Sequence, residues 1–277
     1  MSLIMHEGPE VFVSLSSFGA TEVRRHGQLG FAVLCADAGA NGVEVRGELL
    51  REASAVSREL HALGGLARER GLGLVYSSPE GLWTDAGQFD DSALLRALEH
   101  AQDLGAPRLK MSIGAYNPTD TAGMARMAHL LAMSQAHSPT KTPVELVIEN
   151  DQTPGAGTLP PLQAFFAAVQ AVDLPSAEQP LGMTFDMGNW HWTGEDPLLA
   201  AQLLASRVVY VHCKGVQRQP YQWVAVPMAA SAAPWRTVLR ALPAAVPRAI
   251  EYPLQGDDLL AVTRVQVALV GGAEVAR

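Results

Sequence analysis

Four side chains that can bind a metal ion stand at the ends of four short apolar segments in the second half of the chain. They are Glu149, Asp186, His212 and Glu251. An unpaired carboxylate at the buried end of an apolar segment is costly, and three of them together repel each other unless a cation neutralises them. Three carboxylates and one imidazole suit a hard or borderline divalent ion. The sequence therefore predicts that these four residues bind one divalent metal ion: Mn²⁺, Mg²⁺, Co²⁺ or Zn²⁺.

The elements that would position these side chains alternate along the chain, as short apolar segments and amphipathic helical segments. Eight segments have strand character: Phe12–Leu15, Gly42–Arg46, Gly73–Tyr76, Arg108–Ile113, Val144–Glu149, Gly182–Asp186, Val208–His212 and Arg248–Glu251. Helical segments rich in Ala, Leu, Arg and Glu include Leu49–Arg70, Asp91–Leu104, Thr121–Ala136, Leu159–Val172, Pro197–Leu204 and Trp235–Leu242. Strictly alternating strands and helices favour parallel βαβ units. We predict a single α/β domain over residues 1–277, a (β/α)8 TIM barrel whose active face lies at the carboxyl ends of the strands.

The segment 215–234 departs from this alternation. It has no clear helical pattern, and it carries three prolines and two aromatic residues, Tyr221 and Trp223. Because it follows an active-face strand, we predict a lid loop, with a rim insertion that has no gating role as the alternative.

Composition narrows the function classes. The 277 residues carry a formal net charge of −8, which argues against nucleic acid and anionic membranes as main partners. Cys35 and Cys213 form no disulfide framework or zinc motif, which favours a reducing compartment. With no secretory signal and no apolar run long enough to span a membrane, we expect a cytoplasmic protein.

The residues around the four ligands resemble those of the xylose-isomerase-like barrel superfamily of sugar isomerases and epimerases. The likeness runs from Phe12 to about Leu260. Its most specific stretches are Val-Ile-Glu149-Asn150, Phe-Asp186-Met-Gly-Asn189-Trp190, Val-His212-Cys-Lys214 and Ile-Glu251-Tyr-Pro.

The resemblance implies roles for individual residues. Glu149, Asp186, His212 and Glu251 would be the metal ligands, and the two glutamates would also move a proton during catalysis. Arg218, six residues after the histidine, would contact substrate oxygens. Three positions depart from the pattern of ketohexose 3-epimerases, with Asn189 in place of a histidine, Gly155 in place of an acid and Gly215 in place of an aspartate. The departures affect the substrate assignment and leave the metal ligands intact.

Further residues are predicted to contact substrate, each with a structural alternative. Lys110 and Lys214 lie on the active side of their strands and would contact substrate, Lys214 through a carboxylate, phosphate or enediolate oxygen, unless they only form ion pairs with barrel carboxylates. Trp83 and Trp190 would offer aromatic faces to a sugar, or would only pack at the rim. Asn189 stands beside Trp190 on the same loop and completes the predicted set.

The resulting hypothesis is a metal-dependent isomerase or epimerase of a small sugar, keto-sugar or sugar acid, acting by proton abstraction through an enediolate. The alternatives are a dehydratase of an inosose or dehydroshikimate-like substrate and a non-catalytic sugar-binding barrel. A multi-zinc nuclease on this barrel would need several more histidines at strand ends, where only His212 is well placed. The expected partner is a small carbohydrate, with a homo-oligomer possible and no nucleic acid or membrane.

Overall fold

A computed structural model describes residues 8–51, 55–136, 143–172 and 181–272. Eight parallel strands form a closed barrel in the order β1-β2-β3-β4-β5-β6-β7-β10. The barrel strands are β1 (Val11–Ser14), β2 (Gly42–Arg46), β3 (Gly73–Trp83), β4 (Arg108–Gly114), β5 (Glu145–Glu149), β6 (Leu181–Asp186), β7 (Val208–Cys213) and β10 (Arg248–Ile250). The predicted (β/α)8 barrel and all eight predicted strands are confirmed, and β3 extends past its predicted end to Trp83.

Helices follow the strands and cover the outside of the barrel. They are α1 (Ala20–His26), α2 (Gln28–Asp37), α3 (Val56–Arg70), α4 (Asp91–Leu104), α5 (Thr121–Ala136), α6 (Leu159–Ala171), α7 (Trp190–Thr193), α8 (Pro197–Leu204), α9 (Trp235–Arg240) and α10 (Leu259–Gly271). The predicted bounds of α4, α5 and α8 are confirmed. The helix predicted from Leu49 begins at Val56 instead, because Gly47–Leu49 forms a short 3-10 turn.

Local signals explain where these helices start and stop. The side chain of Asp90 accepts a hydrogen bond from the backbone N–H of Ala93 and so caps the start of α4. The same helix ends at Gly105, whose φ of 76° is the left-handed conformation that favours glycine. The two caps confine α4 to Asp91–Leu104, so that the chain is free to enter β4 at Arg108.

The amino-terminal half of the barrel interior is filled by aromatic and small residues. Phe12, Val75, Tyr210 and Ala249 form one buried cluster inside the barrel. A Cβ atom at Gly42 would lie 2.2 Å from the Phe12 ring, so only glycine leaves room for that ring. This packed apolar layer supports the polar residues at the carboxyl-terminal end of the barrel.

The outward-facing strand residues and the inner faces of the helices form a second, much larger apolar core. Val13, Val45, Leu60 and Ile148 are completely buried in it. Burying one such side chain stabilises the fold by about 1.5–3 kcal/mol. This layer holds the strand ends rigidly, which is what a multidentate site requires.

The segment 215–234 is more regular than the sequence suggests. An antiparallel hairpin lies outside the barrel, with β8 (Gly215–Arg218) paired to β9 (Trp223–Val226). Its base is anchored by the buried residue Val216, while Tyr221 at its tip is 97% exposed. The gating role of this segment stays a prediction.

Among the described helices, none has both the length and the apolar character needed to cross a bilayer.

Candidate metal centre

The four predicted ligands meet at the carboxyl-terminal rim of the barrel. Glu149 and Asp186 end β5 and β6, His212 is next to last in β7, and Glu251 directly follows β10. One ligand atom from each residue lies within 4.8 Å of the others. Parallel strands end at one rim, and adjacent strands are only about 4.8 Å apart, which explains the convergence. Asp186 and His212 are fully buried, and the two glutamates retain slight exposure towards the mouth.

The imidazole of His212 has two different neighbourhoods. Its Nδ1 faces the ligand carboxylates, 2.8 Å from Glu149 Oε1, 3.0 Å from Glu251 Oε2 and 3.6 Å from Asp186 Oδ2. Its Nε2 lies 2.7 Å from Oε2 of Glu44, which is completely buried. If Nε2–H donates to Glu44, the lone pair of Nδ1 points into the cluster. A carboxylate behind a histidine is the usual arrangement that orients a metal-binding imidazole.

This donor set fits a divalent metal ion. Three carboxylate oxygens and one imidazole nitrogen are suitable for Mn²⁺, Mg²⁺, Co²⁺ or Zn²⁺. Their ligand atoms lie within 4.8 Å of one another, slightly more than the roughly 4.0–4.4 Å that separates two ligands on opposite sides of an ion bonded at roughly 2.0–2.2 Å. Asp186 Oδ2 is buried and receives no well-aligned hydrogen bond, so it is available as a ligand.

Backbone and amide groups fix the Asp186 carboxylate. Its Oδ1 accepts hydrogen bonds of 2.8 Å from the backbone N–H groups of Gly188 and Asn189. The Asn150 side chain donates to the Asp186 carbonyl oxygen and accepts from the Asp186 N–H. These bonds leave Oδ2 turned towards His212.

Three cations surround the ligand carboxylates, and two of them, Lys110 and Lys214, are buried. Lys110 Nζ lies 2.5 Å from Glu149 Oε2, and Arg46 Nη1 lies 2.6 Å from Glu251 Oε1. Lys214 Nζ lies 2.7 Å from Asp186 Oδ2 and 2.8 Å from Glu251 Oε2. Each ligand carboxylate therefore has a positive partner in addition to the histidine.

The cations decide the charge state of most of these acids. Burial by itself would raise the pKa of Glu149, but Lys110 and His212 outweigh it and lower the pKa. The same balance, with Lys214 and His212 as the main cations, holds the pKa of Glu251 well below its usual range. For Asp186, burial dominates and raises the pKa despite Lys214.

Burial would depress the pKa of His212, but Glu44 and Glu251 reverse that effect and raise it well above the usual value. A metal ion at Nδ1 would therefore compete with a proton for this site.

Of the residues predicted to contact substrate, three lie beside the four ligands. Lys110 and Lys214 are 2% and 8% exposed and contact ligand carboxylates directly. The Asn189 Oδ1 accepts hydrogen bonds from Lys214 Nζ at 3.0 Å and from Gln152 Nε2 at 3.1 Å. Arg218 is exposed on the hairpin, with its guanidinium over the Trp223 ring.

The two predicted aromatic contacts lie elsewhere. Trp83 is 2% exposed, packs against Phe89 and Tyr116, and donates its indole N–H to Asp120. Trp190 is fully buried. Neither indole presents an open face to the barrel mouth, because neighbouring apolar residues enclose both rings.

Glu44 and Arg46 are two residues of the site that lie outside the predicted set of metal ligands and substrate contacts. In the structure, Glu44 lies behind His212 and contacts its Nε2, and Arg46 donates a hydrogen bond to Glu251. The alternation along β2 places both side chains inside the barrel, and that signal was present in the sequence. Their partners were not readable, because they come from strands far along the chain.

Comparison with known proteins agrees with the barrel. Residues 32–250 match the model of the xylose isomerase-like TIM barrel family. No curated protein matches the sequence significantly. An L-ribulose 3-epimerase structure superimposes with a TM-score of 0.66 at 16% identity, covering 96% of this chain and 95% of that one. A probable 3-DHS dehydratase, AsbF of Bacillus anthracis, gives 0.64 at 13% identity, covering 94% and 98%.

The zinc-bound structure of the protein IOLI is also similar, with a TM-score of 0.64 at 11% identity over 97% of this chain and all of that chain. At these identities the superpositions establish a shared fold. The family model, in contrast, matches most of the sequence itself. The chain belongs to the xylose isomerase-like TIM barrel family.

Proposed function

We propose that this protein is a divalent-metal-dependent isomerase or epimerase of a small keto-sugar or sugar acid. The observation that carries the proposal is the convergence of Glu149, Asp186, His212 and Glu251 at the active rim of the barrel. Membership of a family named for xylose isomerase and the fold shared with an L-ribulose 3-epimerase support it.

The four converging residues would hold the ion, and Mn²⁺ is our first choice among the candidate metals. When bound, a divalent ion polarises a carbonyl and its neighbouring hydroxyl, and so acidifies the hydrogen on the carbon between them. Glu44 would keep the His212 ring in the tautomer whose Nδ1 is free to bind.

The two glutamates would move the proton. Glu149 ends β5 and Glu251 directly follows β10, with two barrel strands between them, so they approach a substrate in the mouth from different sides. One carboxylate would remove the proton to give an enediolate, and the other would return a proton to the opposite face for epimerisation. Return by the same carboxylate to the adjacent carbon gives isomerisation. Acid–base catalysis of this kind contributes about 10²–10⁴-fold.

Lys110 would assist Glu149. Its ammonium is 2.5 Å from Glu149 Oε2, the oxygen that does not face His212. Arg46 holds the corresponding oxygen of Glu251. These contacts keep both carboxylates ionised and aimed, which a general base needs.

A dehydratase is the second candidate. The shared fold with a probable 3-DHS dehydratase favours it over a non-catalytic sugar-binding barrel. The same first proton abstraction, followed by loss of a β-hydroxyl, would give an unsaturated product. Product analysis separates the two reactions, because only the dehydratase forms a conjugated enone that absorbs in the ultraviolet.

The metal content of the purified protein and its thermal stability with added Mn²⁺ test the proposal. We expect about one equivalent of metal and a Mn²⁺-dependent rise in melting temperature, since an ion at 100 times its Kd stabilises by about 2.7 kcal/mol. His212→Ala should abolish the rise. His129→Ala is the matched control, because His129 is exposed on α5, outside the metal cluster. Equal stabilisation of both variants would refute the site.

Turnover tests the roles of the glutamates. A panel of ketoses, sugar acids and cyclic polyol ketones identifies a substrate, and Glu149→Gln or Glu251→Gln should then remove its conversion while the fold is retained. Wild-type rates in both variants would exclude the proposed proton transfer.

A further inference from the structure

Lys214 differs from Lys110 and Arg46 in the carboxylate oxygens that it contacts. It follows β7 by one residue, is 8% exposed, and its ammonium lies between Asp186 Oδ2 and Glu251 Oε2. These are the same carboxylate oxygens that face His212 Nδ1. Lys214 therefore contacts the ligand atoms on the side where a metal ion would bind.

Lys110 and Arg46 contact the opposite side of the ligand carboxylates. Lys110 forms an ion pair with Glu149 Oε2, and Arg46 forms one with Glu251 Oε1. Neither oxygen faces His212 Nδ1. Both pairs can persist when the other oxygen binds an ion. Among the three cations described around the cluster, Lys214 is the one whose carboxylate oxygens an ion would also bind.

A divalent ion bound to these oxygens would compete with the Lys214 ammonium for them. An ion bonded to Asp186 Oδ2 and Glu251 Oε2 at roughly 2.1 Å would place a double positive charge within about 4 Å of Nζ. Repulsion from the ion, which shares these oxygens, would then weaken both ion pairs of the ammonium. Its remaining partner is the neutral Asn189 Oδ1, 3.0 Å away, which tethers the side chain beside the ion.

An ammonium whose two ion pairs are weakened in a nearly buried position is stabilised by another anion. The substrate is the group that arrives beside the ion at this point. A carboxylate bonded directly to the chelating carbonyl carbon can reach both the ion and Nζ. A phosphate at the far end of a sugar lies several bonds away from them.

We infer that Lys214 binds a substrate carboxylate adjacent to the metal-chelating carbonyl, so that the enzyme acts on 2-keto acids of the sugar-acid class in preference to neutral ketoses. This inference rests on the proposed metal-dependent function. It assigns Asn189 as the tether that keeps the Lys214 ammonium at the ion's edge.

Calorimetry on the Mn²⁺-loaded protein tests the inference with two matched probes. Hydroxypyruvate and dihydroxyacetone share a three-carbon ketol and differ in a carboxylate against a hydroxymethyl group. We expect hydroxypyruvate to bind at least tenfold more tightly to the wild type. Lys214→Met should reduce this ratio at least fivefold, leaving only the preference that the ion itself has for a carboxylate, and Lys214→Arg should retain most of the wild-type ratio because it keeps the charge; an unchanged ratio in Lys214→Met would refute the assignment.

Binding of Mn²⁺ alone is measured for every variant. Lys214→Met is expected to bind Mn²⁺ as tightly as the wild type or more tightly, because a competing positive charge is gone. This measurement also shows whether the variant is folded.

The possible failures are distinguishable. Absence of Mn²⁺ binding in the wild type would overturn the proposed function and this inference with it. Normal Mn²⁺ binding with equal affinity for the two probes would overturn the inference alone. Tighter binding of dihydroxyacetone phosphate than of hydroxypyruvate, lost in Lys214→Met, would replace the carboxylate by a phosphate and also refute the assignment.

Discussion

Replacement of Glu44 by glutamine is expected to weaken divalent-metal binding by about 10- to 100-fold without removing a metal ligand. Glu44 is completely buried and makes three charged contacts. Its Oε2 is 2.7 Å from His212 Nε2, and its Oε1 is 3.0 Å from Arg46 and 3.4 Å from Lys110. Mutation of a carboxylate in this position behind a metal-binding histidine typically costs this factor in affinity.

The contacts explain the magnitude. Glutamine has the shape of glutamate, but its amide offers one acceptor oxygen and one donor NH₂ group. If the oxygen accepts from His212, the NH₂ group faces the donors of Arg46 and Lys110. If the amide is flipped, the NH₂ group meets the Nε2–H. One bond is lost in either case, and the other becomes weaker because the carboxylate charge is gone. The expected factor corresponds to about 1.4–2.8 kcal/mol.

The assay is calorimetric titration with Mn²⁺ and Zn²⁺, supported by nitrogen NMR of the His212 ring to report which nitrogen carries the proton. Glu48→Gln is the matched control. Glu48 contacts the same arginine at 2.9 Å, but it lies on the outer side of Arg46 and is partly exposed. Metal affinity in Glu48→Gln should stay within about twofold of the wild type.

Two results would refute this reasoning. One is an unchanged metal affinity in Glu44→Gln, which would show that Glu44 does not orient the ring. The other is an equal loss in Glu48→Gln, which would show that the effect comes from disturbing Arg46.

Three further predictions concern pH, packing and the rim. At pH values below the pKa of His212, metal affinity should increase about tenfold for each unit by which the pH is raised, because the ion must displace the proton on the ring. The surrounding glutamates outweigh burial and raise that pKa, so the pH dependence extends above the usual range of histidine. A metal affinity that does not change with pH would contradict this. Gly42→Ala should destabilise the protein by about 1–3 kcal/mol in urea unfolding, since the new Cβ meets the Phe12 ring. Phe12→Leu in the same chain should recover part of that loss. If the two substitutions instead change the free energy of unfolding additively, the proposed contact is wrong. Asp120→Ala should cost about 1–2 kcal/mol by loss of the α5 cap. Because the Gly123 N–H lowers the pKa of Asp120, the stabilisation exists above the usual carboxylate pKa and fades as pH falls, so the wild type and the variant should converge in acid unfolding; a constant difference would count against it.

The barrel could be predicted from sequence because each strand and helix has a local signature. The buried strands are almost continuously apolar, and the helix α4 has both a capping aspartate and a terminal glycine. Three helices were predicted to the residue for this reason. The start of α3 was not, because Leu49 continues an apolar pattern but lies in a 3-10 turn.

The four metal-ligand types at successive strand ends could also be predicted. Once the strands are parallel, their carboxyl ends must share one rim, and the side chains there must be close. The two tryptophans show the limit of this argument. Trp83 and Trp190 follow active-side strands as expected, but packing of the rim encloses both rings.

By itself, then, the sequence determined the fold and which side chains stand on the active rim, since strand period and helix period are local properties of the chain. Only the tertiary structure decided their partners. Barrel closure brings Glu44 of β2 against His212, 168 residues away, and selects which imidazole nitrogen faces the carboxylates. It likewise places Lys214 against Asp186 Oδ2, an oxygen that faces His212, and Lys110 against Glu149 Oε2, which faces away from His212. These choices depend on distances between strands that are remote in sequence, and no local pattern encodes such distances.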